Sequence, residues 1–568
     1  MITFPFLHLH HKAFRSAGIR PRPASWRAAP GALRIATVVM LTVLAWNVTA
    51  TSAAEWQWSV PVEGVVSSET KGVPRSYLWI PPGCTHVRAV VVGHHNMQEE
   101  PIFEHPRFRA ALAELQFAVV WTTPPADMFF RFDKGSGERF TSVMKALAVE
   151  SGYSEIANAP VIPLGHSAAG SYPWNFAAWA PERTAAIISV SGQWPYYVDQ
   201  NTPPWEGRNV DNVPGLVCVG EFEGADWRAD IGLRQRAEHP QTALSMFAEP
   251  GAGHFDVSEE KVEYLALYLK KAAQYRLPDT VSGDGSVKLR AVDPTRQGWL
   301  VQRWRRGLAP TAQPGPVGQY KGDPKEAFWY FDEEHAAATE RIHAFYRGRK
   351  PQRVGYVQDG ENVPTDPKSH FGTALRFLPQ SDGISFKVTG AFLQSATDGT
   401  PLGHATGGGP VVISRVCGPM VQTGPDTWSI RFNRVGTDNE KRARDFAFMA
   451  SHPGDGEYSR AVQQGYLRIP LRNTQGADQS ITFPAIADQT VGAAPVTLAA
   501  TSSSGQPVYY YVREGPAEIE GNKLRLTALP PRSRFPVRVT VVAWQWGRAT
   551  EPLLKTAPPQ ERTFLVQK

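Results

Sequence analysis

Cysteine is nearly absent: three in 568 residues, Cys84, Cys218 and Cys417, set far apart. An odd, scattered set excludes a disulfide framework and the paired spacing of a zinc motif. Cys218 lies in the apolar run Gly-Leu-Val-Cys-Val-Gly, where a thiol fills space as a small hydrophobe. All three are read as structural, with one bridge allowed that the sequence does not assign. Long hydrophobic runs are also missing. The best candidate, residues 35–46, is too short for a comfortable transmembrane helix. A charge excess of one sign disappears once the leader is set aside. Residues 1–54 hold six basic side chains (Lys12, Arg15, Arg20, Arg22, Arg27 and Arg34) and no acidic one, leaving 53 Lys and Arg against 53 Asp and Glu. Such a neutral chain has no electrostatic footprint for nucleic acid or an anionic surface.

What is present begins with that leader. A basic stretch through Arg34, the short apolar run and then Thr-Ala-Thr-Ser-Ala-Ala read as an export signal, cleaved near Ala54. The expected localisation is secreted or periplasmic, with no membrane attachment after cleavage.

From residue 55 to about 285, apolar strand runs alternate with helical patterns. Strands are expected at 87–92, 117–121, 161–164, 186–190, 215–219 and 243–247, and helices at 108–115, 140–149, 167–180 and 262–273. Such alternation predicts an α/β domain with a doubly wound, mostly parallel sheet, whose strands are buried on both faces and hence continuously apolar. A Gly-, Ser- and Asp-rich break follows at 279–285. Residues 286–475 read as a mostly-β accessory domain with one helix, expected over 325–345. Residues 479–568 show short strands at regular spacing, as in a β-sandwich. The stretch from Ala500 to Ala517 resembles Ig-like modules.

The chemistry concentrates in Val161-Ile-Pro-Leu-Gly-His-Ser-Ala-Ala-Gly. A strand enters a sharp turn and a helix leaves it, so Ser167 is thrown clear of the sheet with small neighbours. The helix start offers backbone N–H groups to a developing oxyanion. The usual Gly-x-Ser-x-Gly ends here in Ala169. Further on, Glu-Pro-Gly-Ala-Gly-His-Phe places His254 in a Gly-rich loop between the last core strand and the closing helix, where an imidazole serves as base. His94 and His95 invite a metal reading, but adjacent histidines at a strand end point apart and no carboxylate stands at ligand spacing. No metal and no cofactor are expected.

The elbow at Ser167 and the loop at His254, in this chain order, resemble the α/β-hydrolase superfamily. The core resembles the dienelactone-hydrolase, polyester-depolymerase and carbohydrate-esterase kind over about residues 77–273. The resemblance implies an acid in the loop after 215–220. Glu223 stands where the family's Asp would, and is favoured over the alternative Asp226. It also implies an oxyanion hole made by the N–H of Ala168 with that of Asn96 or Met97. His95, Trp194, Tyr196, Tyr197 and Trp205 are candidates to line the substrate site, against the alternative that the aromatics pack beneath their loop.

The expected function is a secreted serine hydrolase of carboxylic esters acting through an acyl-enzyme. A carbohydrate esterase on plant polysaccharide is the most attractive version, and the partner would be a small-molecule or polysaccharide ester. A prolyl-oligopeptidase-like peptidase and a non-catalytic glycan-binding protein on a hydrolase fold are the alternatives. Trp428 and Phe328-Trp329-Tyr330 are where a glycan would be sought in the accessory region.

Overall fold

The computed structural model describes residues 55–279, 284–366, 372–395, 399–433 and 445–568. The expected export signal and its cleavage point lie outside the described residues.

Eight strands form the first sheet: β1 (Trp58–Pro61), β2 (Arg75–Trp79), β3 (Ala89–His94), β4 (Phe117–Thr123), β5 (Val161–His166), β6 (Ile187–Val190), β7 (Gly215–Gly220) and β8 (Leu244–Glu249). Their spatial order is β1-β2-β4-β3-β5-β6-β7-β8. β2 runs antiparallel to both neighbours, and every pairing from β4 to β8 is parallel. Parallel neighbours need crossovers, and helices supply most of them: α1 (Glu99–Phe103) and α2 (Pro106–Leu115), α3 (Ser136–Ser151), α4 (Tyr172–Trp179) and α5 (Ala225–Glu238); residues 191–214 cross from β6 to β7 without a helix, and α6 (Glu259–Arg276) follows β8.

Side chains alternate across the sheet as a strand requires. In β3, Ala89 and Val91 join the core under α2 and α6, while Val90 and Val92 join the one under α3 and α4. In β7, Leu216 and Cys218 face the first of these cores, and Val217 and Val219 face α5. The apolar runs are therefore buried on both sides. Cys84, Cys218 and Cys417 are all buried and unbridged.

The expected boundary at residue 285 is displaced by packing. β9 (Trp299–Gln302), β10 (Gly315–Pro316) and β11 (Ala327–Tyr330) form a small antiparallel sheet followed by α7 (Glu333–His343). Ala327 and Trp329 enter one core of the first domain while Phe328 and Tyr330 enter another. The Tyr330 hydroxyl donates to the Met246 carbonyl at 2.6 Å. Residues 286–345 thus belong physically with the first domain. The expected helix over 325–345 is also corrected. Its first part, Ala-Phe-Trp-Tyr, is a strand buried between two cores. The helix starts only after Asp332, whose carboxylate accepts from the His335 N–H at 3.0 Å as an N-cap.

Beyond residue 345 the described chain is β-rich. A four-stranded sheet in the order Thr373–Leu375, Ala461–Arg468, Asp445–His452, Val412–Cys417 stands beside a three-stranded one built from Ser385–Lys387, Thr427–Ile430 and Met420–Gln422. The last unit packs three small sheets over a shared core that includes Ile481, Leu498, Leu524, Val539, Val541 and Phe564. Trp428, Phe328, Trp329 and Tyr330 are each no more than 2 % exposed. They are core residues, so a glycan has no access to them.

Candidate active site

The turn between β5 and α4 explains itself in crowding. Ser167 has φ +53°, a left-handed conformation that costs a side-chain-bearing residue about 1–3 kcal/mol. A Cβ on Gly165 would stand 2.1 Å from the Ala169 carbonyl oxygen, and one on Gly170 would stand 2.3 Å from the Gly192 Cα. The positions that demand glycine are 165 and 170. Position 169 carries a buried methyl group, which is why the departure to Ala leaves the elbow intact.

The structure brings Ser167, His254 and Glu223 together. The Ser167 Oγ lies 2.7 Å from His254 Nε2, and His254 Nδ1 lies 2.7 Å from Glu223 Oε2. The other carboxylate oxygen, Oε1, accepts from the Gly220 N–H at 2.6 Å and from the Ser191 hydroxyl at 2.7 Å. Arg228 stands 3.2 Å from Oε2. Burial pushes this carboxyl up, but attraction and hydrogen bonding to His254, with Arg228 and the Gly220 amide, outweigh it and hold the group at about 2. With the carboxylate ionised, Nδ1 carries the proton and Nε2 is left to accept from Ser167. Asp226, the alternative acid, points elsewhere: its side chain is about half exposed and sits 3.6 Å from Arg303.

The oxyanion side departs from expectation. The Asn96 and Met97 N–H groups both donate to Glu99 Oε2, at 3.1 and 3.0 Å. The second Glu99 oxygen accepts from the His166 N–H at 2.7 Å. Glu99 is fully buried, and a buried carboxylate takes whatever donors lie in reach. The two amides proposed for the oxyanion hole are therefore already engaged. The Ala168 N–H has no acceptor among the described residues, and Ala168 is exposed. Glu99 was missed because its partners are backbone groups of two separate loops. The hint is its position, two and three residues beyond the amides it binds.

His166 beneath the elbow is held neutral by burial, with the His254 charge adding to the effect. Its Nε2 lies 3.0 Å from the His254 carbonyl oxygen, so that nitrogen carries the proton and donates. The Asn96 side chain donates to the His166 carbonyl at 2.7 Å, and Gln98 donates to the His254 carbonyl at 2.9 Å. Nucleophile, base and the loop after β3 are thus tied through main-chain groups.

The aromatic candidates and His95 each pack or hydrogen-bond to neighbouring side chains. Trp194 is buried and stacks on Phe328 with centroids 5.6 Å apart. Tyr196 packs on His239 and Trp205, and Trp205 donates to Asn175 at 2.8 Å. The Tyr197 hydroxyl reaches Asp199 at 3.5 Å. His95 is buried, with Nδ1 2.8 Å from the Thr123 hydroxyl and its ring against Trp121. These side chains hold the loops in place. Among the described residues, no cluster of three His, Cys, Asp or Glu is placed to bind a metal ion.

The eight-stranded order, the single reversed strand β2 and the serine at the β5–α4 turn decide the architecture. The eight-stranded sheet and its helices have the α/β-hydrolase fold. No family model matches the chain, and no curated protein matches it. Among solved structures, a thermostable esterase is similar at 13 % identity over 34 % of this chain and 54 % of that one, with a TM-score of 0.24. The dienelactone hydrolase from Anabaena variabilis ATCC 29413 is similar at 19 % identity over 39 % and 98 %, with a TM-score of 0.26. LpqC, a poly(3-hydroxybutyrate) depolymerase from Bordetella parapertussis, is similar at 13 % over 41 % and 92 %, with a TM-score of 0.27.

Glu99 makes a pH-dependent prediction. Burial pushes its carboxyl from 4.5 up to about 7, against the amides that pull it down. The folded chain then binds this proton more tightly than the unfolded chain does. Stability from this group falls as pH rises from about 4.5 to about 7, by about 3 kcal/mol in all. Glu99→Gln removes that slope, which denaturant titrations at a series of pH values measure.

Proposed function

We propose that this protein is a serine hydrolase that cleaves carboxylic esters through an acyl-enzyme. The observation that carries the reading is the unbroken chain Ser167 Oγ to His254 Nε2 and His254 Nδ1 to Glu223, each link 2.7 Å. His254 takes the proton of Ser167 as Oγ bonds to the ester carbonyl carbon. The carbonyl oxygen becomes an oxyanion facing the Ala168 N–H, a donor of a kind whose removal costs about 3 kcal/mol of barrier. The oxyanion collapses and breaks the bond to the alcohol, which leaves with the proton from His254. Water then gives a proton to His254 and attacks the acyl-enzyme, and the acid departs as Ser167 recovers its proton.

The leader of basic, apolar and small residues supports export, and the proposed location is secreted or periplasmic. An ester on plant polysaccharide remains the proposed substrate class. It is supported by that location and by the large β-rich region, with no help from the loop aromatics. A panel of acetyl, feruloyl, methyl-uronate and short-chain aryl esters tests the reading. The expected result is turnover of at least one carbohydrate-linked ester, with none by Ser167→Ala. Turnover of aryl esters alone would remove the polysaccharide proposal. Equal turnover by the variant would remove the nucleophile.

A further inference from the structure

The loop that carries His254 is laid along a strand of the β-rich region, just over two hundred residues away in sequence. That strand is Ala461–Arg468. The alternating residues Arg460, Val462 and Gln464 fall on one side of it, and all three meet the loop. A Cβ on Gly251 would lie 2.7 Å from the Arg460 Cβ, and one on Gly253 would lie 3.3 Å from Val462 and 3.7 Å from the Gln464 side-chain oxygen. Phe255, next to His254, is buried in a small cluster with Val416, Cys417, Ala447 and Met449, against which Met97 and Val462 pack.

Charge closes the same contact. Glu249 begins the loop and Asp256 ends it, and both are buried. Arg460 reaches both, at 3.9 Å from Glu249 and 2.7 Å from Asp256. Lys261, also buried, stands 3.0 Å from Glu249 and donates to the Asp256 carbonyl. Two cations meet two carboxylates, so the cluster is neutral only with Arg460 in it. Without that guanidinium the buried Asp256 carboxylate loses its cation, and Lys261 alone still joins the two ends of the loop. A second grip lies on the other side of the site, where Asn433 donates to Glu100 at 2.8 Å and Arg415 stands 3.6 Å from it. Glu100 adjoins Glu99, which holds the Asn96, Met97 and His166 amides.

We propose that Arg460 is a positioning residue for the catalytic base: the β-rich region clamps both ends of the His254 loop and so sets the proton-transfer geometry at Ser167. This rests on the serine-hydrolase reading above. The clamp acts on the chemistry because it holds the two ends of the loop that carries the base.

The test uses the full chain, a fluorophosphonate probe to follow nucleophile reactivity, and steady-state turnover of an aryl ester. Arg460→Ala, shown folded by its thermal transition, is expected to slow labelling and kcat by about 10- to 100-fold with little change in KM, as small misplacements of a catalytic group do. Arg460→Lys restores part of the rate, since it keeps the charge and loses the fork that spans both carboxylates. Millimolar guanidinium restores part of it to Arg460→Ala, which a merely structural role would not produce. If Arg460→Ala does not fold, Val462→Ala probes the same contact without touching a charge, and slower labelling is again expected. Wild-type labelling by folded Arg460→Ala, or by Val462→Ala in its place, would overturn the clamp alone. Absence of labelling in the wild type would overturn the hydrolase reading and the clamp with it.

Discussion

Replacing Ser167 with Ala is expected to lower kcat on any substrate the enzyme turns over by about 10⁶-fold, the scale on which a hydrolase loses its nucleophile. The substitution removes one oxygen and keeps everything else. Alanine at φ +53° carries the same left-handed strain as serine, so the elbow has no new reason to relax. His254 and Glu223 stay hydrogen-bonded to each other at 2.7 Å. The variant should therefore unfold within a few degrees of wild type while losing essentially all turnover. Stability and activity move apart only if the serine acts in the chemistry. A matched loss of both would place Ser167 in the architecture.

Glu223→Gln is expected to lower kcat by about 10⁴-fold with KM little changed. The amide fits the same space, and its oxygen can keep the Gly220 and Ser191 donors. Its NH₂ then faces His254 Nδ1, a donor toward a nitrogen that must itself donate. The imidazole is pushed to the tautomer with the proton on Nε2, which cannot accept from Ser167. Arg228 loses its carboxylate at the same time. The acid also supports the fold. Its carboxyl, held at about 2 in place of 4.5, contributes about 3 kcal/mol that is fully present above about pH 4.5 and fades as pH falls toward 2. In the enzyme Glu223 stays ionised above about pH 4.5.

The parts of the site legible in the sequence are those set by local geometry. Ser167 is flanked by a strand and a helix within a dozen residues. Glu223 and His254 each follow a recognisable apolar strand, so their loops could be placed by order alone. Residues settled by tertiary packing were not legible. An exposed-loop tryptophan and a core tryptophan look alike in sequence, and Trp194 proved to be the latter because Phe328 arrives from beyond the expected boundary. The same packing moved that boundary: the alternating apolar residues of Ala-Phe-Trp-Tyr give no sign of which core they enter. Glu99 and Arg460 were out of reach for the same reason. Each matters through groups distant in the chain, the His166 amide for the first and a loop just over two hundred residues earlier for the second.

The most direct measurement is covalent. Incubating the folded chain with a fluorophosphonate and mapping the adduct by peptide mass spectrometry should give one stoichiometric modification, on Ser167, absent from Ser167→Ala and strongly slowed in Glu223→Gln. No adduct, or an adduct on another serine with Ser167 unmodified, would contradict the assignment of Ser167, His254 and Glu223 as a catalytic relay.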